Sequence, residues 1–289
     1  MHLKILWFLF LPILIGVPRM STQSRNQNQH SFVTANGIHI YYERWGSGPY
    51  LILIEGLGVA TWLWEKQVPE FSKHFTTIVY DNRGVGQSDK PAGPYSVEML
   101  ADDLAGLMQT LNIPKAHILG VSMGGFIAQD FALRYPQKVN KLVLVSTSAG
   151  GAEHVPMSQE TLARFFATHP NPREQIRQKL SLAYTETYLK KEADHLIDLR
   201  LQNPQPQHAF QAQVAAGISV NLSDKVQDIH CPTLIAAATK DLIVPVENAH
   251  NLHNKIQGSR LLIYDDLGHQ FFVEIPQAFN RDVINFLKN

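Results

Sequence analysis

A serine, an aspartate and a histidine, in that chain order, are the residues through which this sequence could do chemistry. Ser122 sits in Gly120-Val121-Ser122-Met123-Gly124, a Gly-x-Ser-x-Gly pattern between an apolar run at 116–121 and a helical pattern at 124–134. A strand that feeds a sharp turn and then a helix is the context of a nucleophile elbow. Such a turn lifts the serine oxygen clear of the sheet and aims neighbouring N–H groups at the place where negative charge forms. The bare motif is weak, because at ordinary Gly and Ser frequencies it arises by chance in about one chain in ten of this length. Its bland reading is a glycine-rich turn with a surface serine. The downstream partners decide between the two.

A serine hydroxyl becomes a useful nucleophile when a base takes its proton, and the base is usually a histidine held by a carboxylate. Asp241 ends the strand expected at 233–238, and His269, preceded by Gly268, follows the strand expected at 260–264. Both fall where loops gather at the carboxyl edge of a parallel sheet. Asp265 and Asp266 compete for the acid role, but they adjoin His269 in sequence and reach its Nδ1 awkwardly. The chain has 13 histidines, so position rather than residue type singles out His269. His250 and His253 have a spacing that could bind metal on a helix. No acidic third ligand follows, so the expectation is a solvated face and no metal. The oxyanion needs two donors, and the expected ones are the N–H groups of Met123 and Leu57, the latter in Glu55-Gly56-Leu57-Gly58. Gly56-x-Gly58 could also suggest a dinucleotide loop, but Thr61 stands where the third glycine is needed. No cofactor is expected.

The elements that position these residues alternate. Strand runs at 38–42, 50–54, 76–80, 116–121, 141–145, 233–238 and 260–264 are separated by helical patterns at 62–75, 96–111, 124–134, 246–256 and 276–287. Continuous apolar runs such as 50–54 suit strands buried on both faces, and the alternation means βαβ units and a mostly parallel sheet. Residues 147–230 contain no strand run and read as helices broken by Pro156, Pro170, Pro172, Pro204 and Pro206, an insertion into the core at 32–146 and 231–289.

Composition narrows the partners. Lys+Arg and Asp+Glu are both 25, and a chain without a basic excess lacks the charge to bind nucleic-acid phosphates. The single cysteine, Cys231, excludes an internal disulfide and reads as a small buried hydrophobe. Residues 1–31 form a leader. Its apolar run at 5–17, after Lys4, is signal-like but too short for a bilayer span of roughly 20 residues. The leader is an export signal or membrane anchor if translation starts at Met1, and absent from a cytoplasmic protein if it starts at Met20.

Taken with the run 80–91 (Tyr80-Asp81-Asn82-Arg83-Gly84-Val85-Gly86-Gln87-Ser88-Asp89-Lys90-Pro91), Thr239-Lys240-Asp241 and Gly268-His269, the elbow makes residues 32–289 resemble the α/β-hydrolase superfamily. The resemblance implies a mostly parallel eight-stranded sheet flanked by helices, with the helical insertion after the sixth strand acting as a cap over the active site. It is strongest toward capped esterases and lactonases, such as 3-oxoadipate enol-lactonases, pimeloyl-carrier-protein methyl esterases and perhydrolases. Dehalogenases and epoxide hydrolases of this superfamily place Asp at the elbow, where this chain has Ser122. The superfamily's usual His-Gly before the oxyanion loop is Glu55-Gly56 here, and a carboxylate at that place would disfavour anionic substrates.

The expected function is cleavage of a carboxylic ester through an acyl-enzyme, with Ser122, His269 and Asp241 as the triad. A lactonase, C–C bond hydrolase or perhydrolase using the same triad is the alternative, and a non-catalytic receptor on the same scaffold is a third. Phe165, Phe166, Tyr184 and Tyr188 would wall an acyl pocket, or simply pack the cap on the body. Arg164, Arg173, Arg177, Lys179, Lys190 and Lys191 make the cap basic, which would suit an acidic acyl-carrier protein, although charged helices are usually solvated faces.

Overall fold

A computed structural model describes residues 29–289. The leader expectation for residues 1–28, with its apolar run at 5–17, lies outside the described residues. Among those described, no helix is long and apolar enough to cross a membrane.

Apolar residues that alternate between two faces build the sheet. In β3 (Tyr50–Ile54), Ile52 and Ile54 join one core cluster, while Leu51 and Leu53 join the other. The same division runs through β4 (Thr76–Tyr80), β5 (Ala116–Val121), β6 (Val139–Val145) and β7 (Thr233–Ala238). With β1 (Gln29–Ala35), β2 (Ile38–Trp45) and β8 (Arg260–Tyr264) they form an eight-stranded sheet ordered β1-β2-β4-β3-β5-β6-β7-β8. The pairs β1–β2 and β2–β4 are antiparallel, and all later pairs are parallel.

Helices cover both faces. The short α1 (Val68–Phe71) precedes α2 (Val97–Thr110), where the Ser96 hydroxyl caps the first turn by accepting from Met99 N–H, and Val97, Leu100, Leu104, Leu107 and Met108 face inward. Next comes α3 (Met123–Arg134), which follows Ser122. The insertion supplies α4 (Gln159–Phe166), α5 (Pro172–Ala183), α6 (Glu186–Gln202) and α7 (Gln207–Ile218). Its two ends are zipped by a bridge between Gly150 and Asn221. The chain finishes with α8 (Glu247–Lys255), α9 (Phe271–Glu274) and α10 (Pro276–Lys288). Helices α2, α3 and α8 pack on one face of the sheet, and α1, α9 and α10 on the other.

Three boundaries differ from expectation. The leader boundary at residue 31 falls inside β1, an edge strand whose polar residues are exposed and which buries only Val33 and Ala35. The helix expected at 62–75 is a 3-10 turn at Thr61–Trp64 and then α1, because Pro69 has no N–H to continue a ladder from the preceding turn. Cys231 is half-buried at the rim of the core rather than enclosed in it.

Buried charge fixes the loops at the carboxyl edge. Asp81, just after β4, accepts from Thr61 N–H at 2.8 Å and Gln87 N–H at 2.7 Å, so one carboxylate organises two loops. Arg83 forks onto Asp103 of α2, with Nε–Oδ2 at 2.5 Å and Nη2–Oδ1 at 2.6 Å. Glu55 follows β3 and is fully buried. Its Oε1 accepts from Asn82 N–H at 2.7 Å, and its Oε2 has no hydrogen-bond partner among the described residues. Burial, and secondarily the charge of Asp81, push its carboxyl well above the usual range and favour the protonated form.

Two stability predictions follow from this layer. Asp103→Ala strands the Arg83 guanidinium in the interior and should cost about 3 kcal/mol or more in denaturant unfolding. Glu55 is the opposite case. A native carboxyl that holds its proton more tightly than in the unfolded chain contributes a stability that fades as pH rises above the ordinary value of 4.5. Glu55→Gln imitates the neutral acid, so its melting temperature should fall less than that of wild type between about pH 5 and pH 8. Parallel curves for the two proteins would show that Glu55 is charged in the fold.

Candidate active site

Ser122 leaves the sheet at the point where strand order reverses. Ile54 of β3 and Gly120 of β5 are register partners, so the loop at 55–58 and the turn at Ser122 emerge side by side. Crevices at such reversal points, outside the carboxyl ends of the strands, are where open α/β sheets bind ligands. The Ser122 backbone is at φ 56°, ψ −118°, outside the regions open to most L-residues. Its N–H donates to Val145 O at 2.9 Å, and its carbonyl accepts from Gly125 N–H at 2.9 Å and Thr147 Oγ1 at 2.8 Å. The glycines at either side are forced by close approach. A Cβ on Gly120 would lie 2.2 Å from Gly124 O, and one on Gly124 2.3 Å from Ile54 O.

Asp241 and His269 come together from two successive loops. After β7, Lys240 N–H donates to Leu267 O at 3.0 Å, which ties the acid loop to the histidine loop. The Asp241 carboxylate is fully engaged. Oδ1 accepts from Ile243 N–H at 2.9 Å and Val244 N–H at 2.8 Å, and Oδ2 accepts from His269 Nδ1 at 2.7 Å. A carboxylate can only accept, so the proton sits on Nδ1 and leaves Nε2 with a free lone pair. The His269 carbonyl accepts from Ser146 Oγ at 3.0 Å, one residue beyond the strand that holds Ser122 N–H. Serine and histidine are thereby fixed to the same end of β6. The competing acids lie elsewhere, since Asp265 and Asp266 are exposed and Asp266 pairs with Lys240 at 2.7 Å.

Met123 opens α3, so its N–H lies in the first turn, where a helix has no internal acceptor to offer. Gly56 lies against the serine, and a Cβ there would be 3.7 Å from Ser122 Oγ. Gly58 N–H is already given to Gln213 Oε1 at 3.3 Å, which leaves Leu57 as the loop residue next in line. The expectation that Glu55 presents a charge to the site is corrected. Its side chain is buried toward Asn82 and its protonated form is favoured.

The four aromatics expected to wall a pocket divide. Tyr184 is buried and stacked on Tyr188 with ring centroids 5.4 Å apart, and its hydroxyl donates to Gln270 Oε1 at 3.4 Å, next to His269. Phe165 and Phe166 pair with each other at 5.2 Å, and Phe166 is 47% exposed, so this pair stays outside the cluster that includes Tyr184. Residues that sequence reasoning did not single out include Ser146 and Thr147, which brace His269 and Ser122, and Gln205 and Gln213. Gln213 Nε2 donates to Arg83 O at 2.9 Å and Gln205 Nε2 to Gly84 O at 3.0 Å, clamping the insertion to the loop after β4. Two glutamines in a helical insertion carry no sequence signal for that role. For the metal spacing on α8, no group of three possible ligands occurs among the described residues.

Comparison with known proteins fits this geometry. An uncharacterized protein of Mycobacterium tuberculosis is 32% identical over 275 residues, covering 89% of this chain and 80% of its own length. The 3-oxoadipate enol-lactonase 2 of Acinetobacter baylyi is 27% identical, over 89% of this chain and 96% of its own. The crystal structure of the enol-lactonase from Burkholderia xenovorans superposes with a TM-score of 0.80 at 27% identity, covering 90% of this chain and all of that one. The family described as the alpha/beta hydrolase fold matches residues 49–276, and with the sheet order and elbow described above this chain belongs to it.

Proposed function

We propose that this protein hydrolyses carboxylic esters, cyclic esters included, through an acyl-enzyme on Ser122. The observation that carries the reading is the 2.7 Å bond from His269 Nδ1 to Asp241, made at the sheet edge where Ser122 is held in a strained turn. His269 Nε2 takes the proton of Ser122 Oγ as that oxygen attacks the ester carbonyl carbon. The carbonyl oxygen becomes an oxyanion, accepting from Leu57 and Met123 N–H groups near the positive end of α3. Asp241 holds the ring in its tautomer and stabilises the imidazolium. The tetrahedral intermediate collapses, the C–O bond to the alcohol breaks, and His269 returns the proton to the leaving oxygen. Water then repeats the sequence on the acyl-enzyme and frees the acid and Ser122. The residues named need no metal or cofactor for these steps.

The inserted helices act as the cap in this reading. They lie on the loops after β3 and β4 through Gln205 and Gln213, so they bound the space next to Ser122. A lactone passes through the same steps with acid and alcohol remaining in one molecule. The enol-lactonase likenesses favour it among the variants of this chemistry.

Ser122→Ala should reduce ester turnover to below about a thousandth of wild type while leaving the melting temperature close to it. Asp241→Asn keeps the size of the side chain but admits the wrong histidine tautomer, and should cost about a thousandfold or more in kcat. A fluorophosphonate probe should label wild type once, on Ser122, with labelling lost in His269→Ala. A folded protein that takes no label, or takes it on another residue, would overturn the assignment.

A further inference from the structure

Most basic side chains of the inserted helices are neutralised where they stand. Arg173 meets Asp198 at 2.6 Å and Asp194 at 3.4 Å, and Arg177 meets Asp194 at 3.1 Å. Lys190 meets Glu186 at 2.8 Å, and Arg164 approaches Glu160 at 4.0 Å. Lys191 is unpaired among the described residues but exposed, and two partly buried cations also depart from this pattern, Lys179 of α5 and Arg200 in the last turn of α6. Neither has an ion-pair partner among the described residues. Arg200 Nε is shut off from solvent and has no hydrogen-bond partner among them either. Burial works against the charge on both, and the charge of Arg200 further disfavours that of Lys179. A cation partly withdrawn from water and without a partner carries a desolvation cost that an anion would offset.

The Arg200 guanidinium lies over the Trp62 ring, 5.3 Å from its centroid, and Trp62 belongs to the turn that follows the oxyanion loop. Lys179 Nζ lies 5.4 Å from the Phe210 ring centroid, and that ring packs on Gly58, 3.7 Å from where a Cβ would stand. Tyr184 feels the Arg200 charge, and its hydroxyl donates to Gln270, next to His269. Arg200 therefore lies against the turn after the oxyanion loop and within electrostatic reach of Tyr184, and Lys179 lies against a ring that packs on that loop. A cation in a helix's last turn also favours the helix dipole. That role does not call for a buried Nε or for a guanidinium laid across a ring of another element.

We propose that Arg200 and Lys179 form an anion subsite, so that the ester or lactone taken by this protein bears a carboxylate away from the scissile carbonyl. The carboxylate accepts from the Arg200 guanidinium, with Lys179 as second cation, and the two orphaned charges gain their partner when substrate binds. Glu55, buried with its protonated form favoured, does not oppose this. The inference rests on the ester-hydrolase reading of Ser122.

The test compares matched esters. One series carries the charge on the acyl side, mono-4-nitrophenyl succinate, glutarate and adipate against 4-nitrophenyl butyrate, pentanoate and hexanoate. The other carries it on the alcohol side, 4-carboxyphenyl butyrate against phenyl butyrate. In one series the wild type should favour the charged ester by about tenfold or more in kcat/KM. Arg200→Gln should reduce that ratio by about tenfold, through KM rather than kcat, with Arg200→Lys recovering part of it. No preference in either series, or an equal loss on charged and neutral esters in a folded variant, would overturn the subsite. If wild type hydrolyses none of these esters and takes no fluorophosphonate, the catalytic reading fails on its own. Calorimetry with glutarate then decides the subsite, since binding by wild type that is lost in Arg200→Gln upholds it and absence of binding overturns it.

Discussion

Ser122 holds a backbone conformation, φ 56° and ψ −118°, that its surroundings must impose, at a cost of about 1–3 kcal/mol. What imposes it is the closeness of three elements. Helix α3 starts so near β3 and β5 that Gly120 and Gly124 leave no room for a methyl group, and Thr147 and Val145 clamp the serine backbone from β6. The strain is held by packing on both faces of the sheet together with these hydrogen bonds to the serine backbone. The same closeness brings the loop at 55–58 beside the serine, because β3 and β5 are neighbours at the reversal of strand order. The proposed nucleophile, its proposed oxyanion donors and the helix dipole thus all depend on one steric arrangement.

The histidine and its acid depend on that arrangement less directly. They are carried by the loops after β8 and β7, joined to each other by Lys240 N–H and Leu267 O and to β6 by Ser146. Asp241 has two backbone donors besides His269, so its position does not rely on the pairing it serves. The substrate side is built differently. The inserted helices meet the core through Leu180, Leu196 and Ile197, which join one of its apolar clusters, and through the side chains of Gln205 and Gln213. In the proposed reading, chemistry and specificity therefore rest on different elements of the fold.

That separation explains what could be read from the sequence. Strands buried on both faces announce themselves as apolar runs, and a strand followed by Gly-x-Ser-x-Gly marks the elbow, so Ser122, Asp241 and His269 could be named as candidates by position along the chain, and the fold brings Asp241 and His269 into contact. β1 escaped because an edge strand needs few apolar residues and this one buries only Val33 and Ala35. The helix expected at 62–75 was broken by the missing N–H of Pro69. In the insertion, Phe165, Phe166, Tyr184 and Tyr188 are alike in type, and only packing separates the buried Tyr184 from the exposed Phe166. Gln213 and Arg200 act through contacts more than a hundred residues away in sequence, which periodicity does not reveal.

Charge is where local sequence and fold diverge most. Glu55 stands in the oxyanion loop segment and suggests a negative site, while six basic residues of the insertion suggest a positive surface for a protein partner. The fold alters both implications. Glu55 is buried where its neutral form is favoured, and Arg173 and Arg177 of α5 are paired by Asp194 and Asp198 of α6 while Lys190 is paired by Glu186 of its own helix. What remains unpaired and partly buried among the described residues of the insertion is the cation at Arg200, with Lys179 within its electrostatic reach, and neither stands out in the sequence from its neighbours. Desolvation decides which charges a ligand encounters, because an exposed pair is worth little while an unpaired guanidinium partly withdrawn from water keeps more of its demand for an anion. On the proposed reading, the electrostatic character of this site is accordingly set by Arg200 and Lys179 rather than by the net charge of the chain or of its insertion.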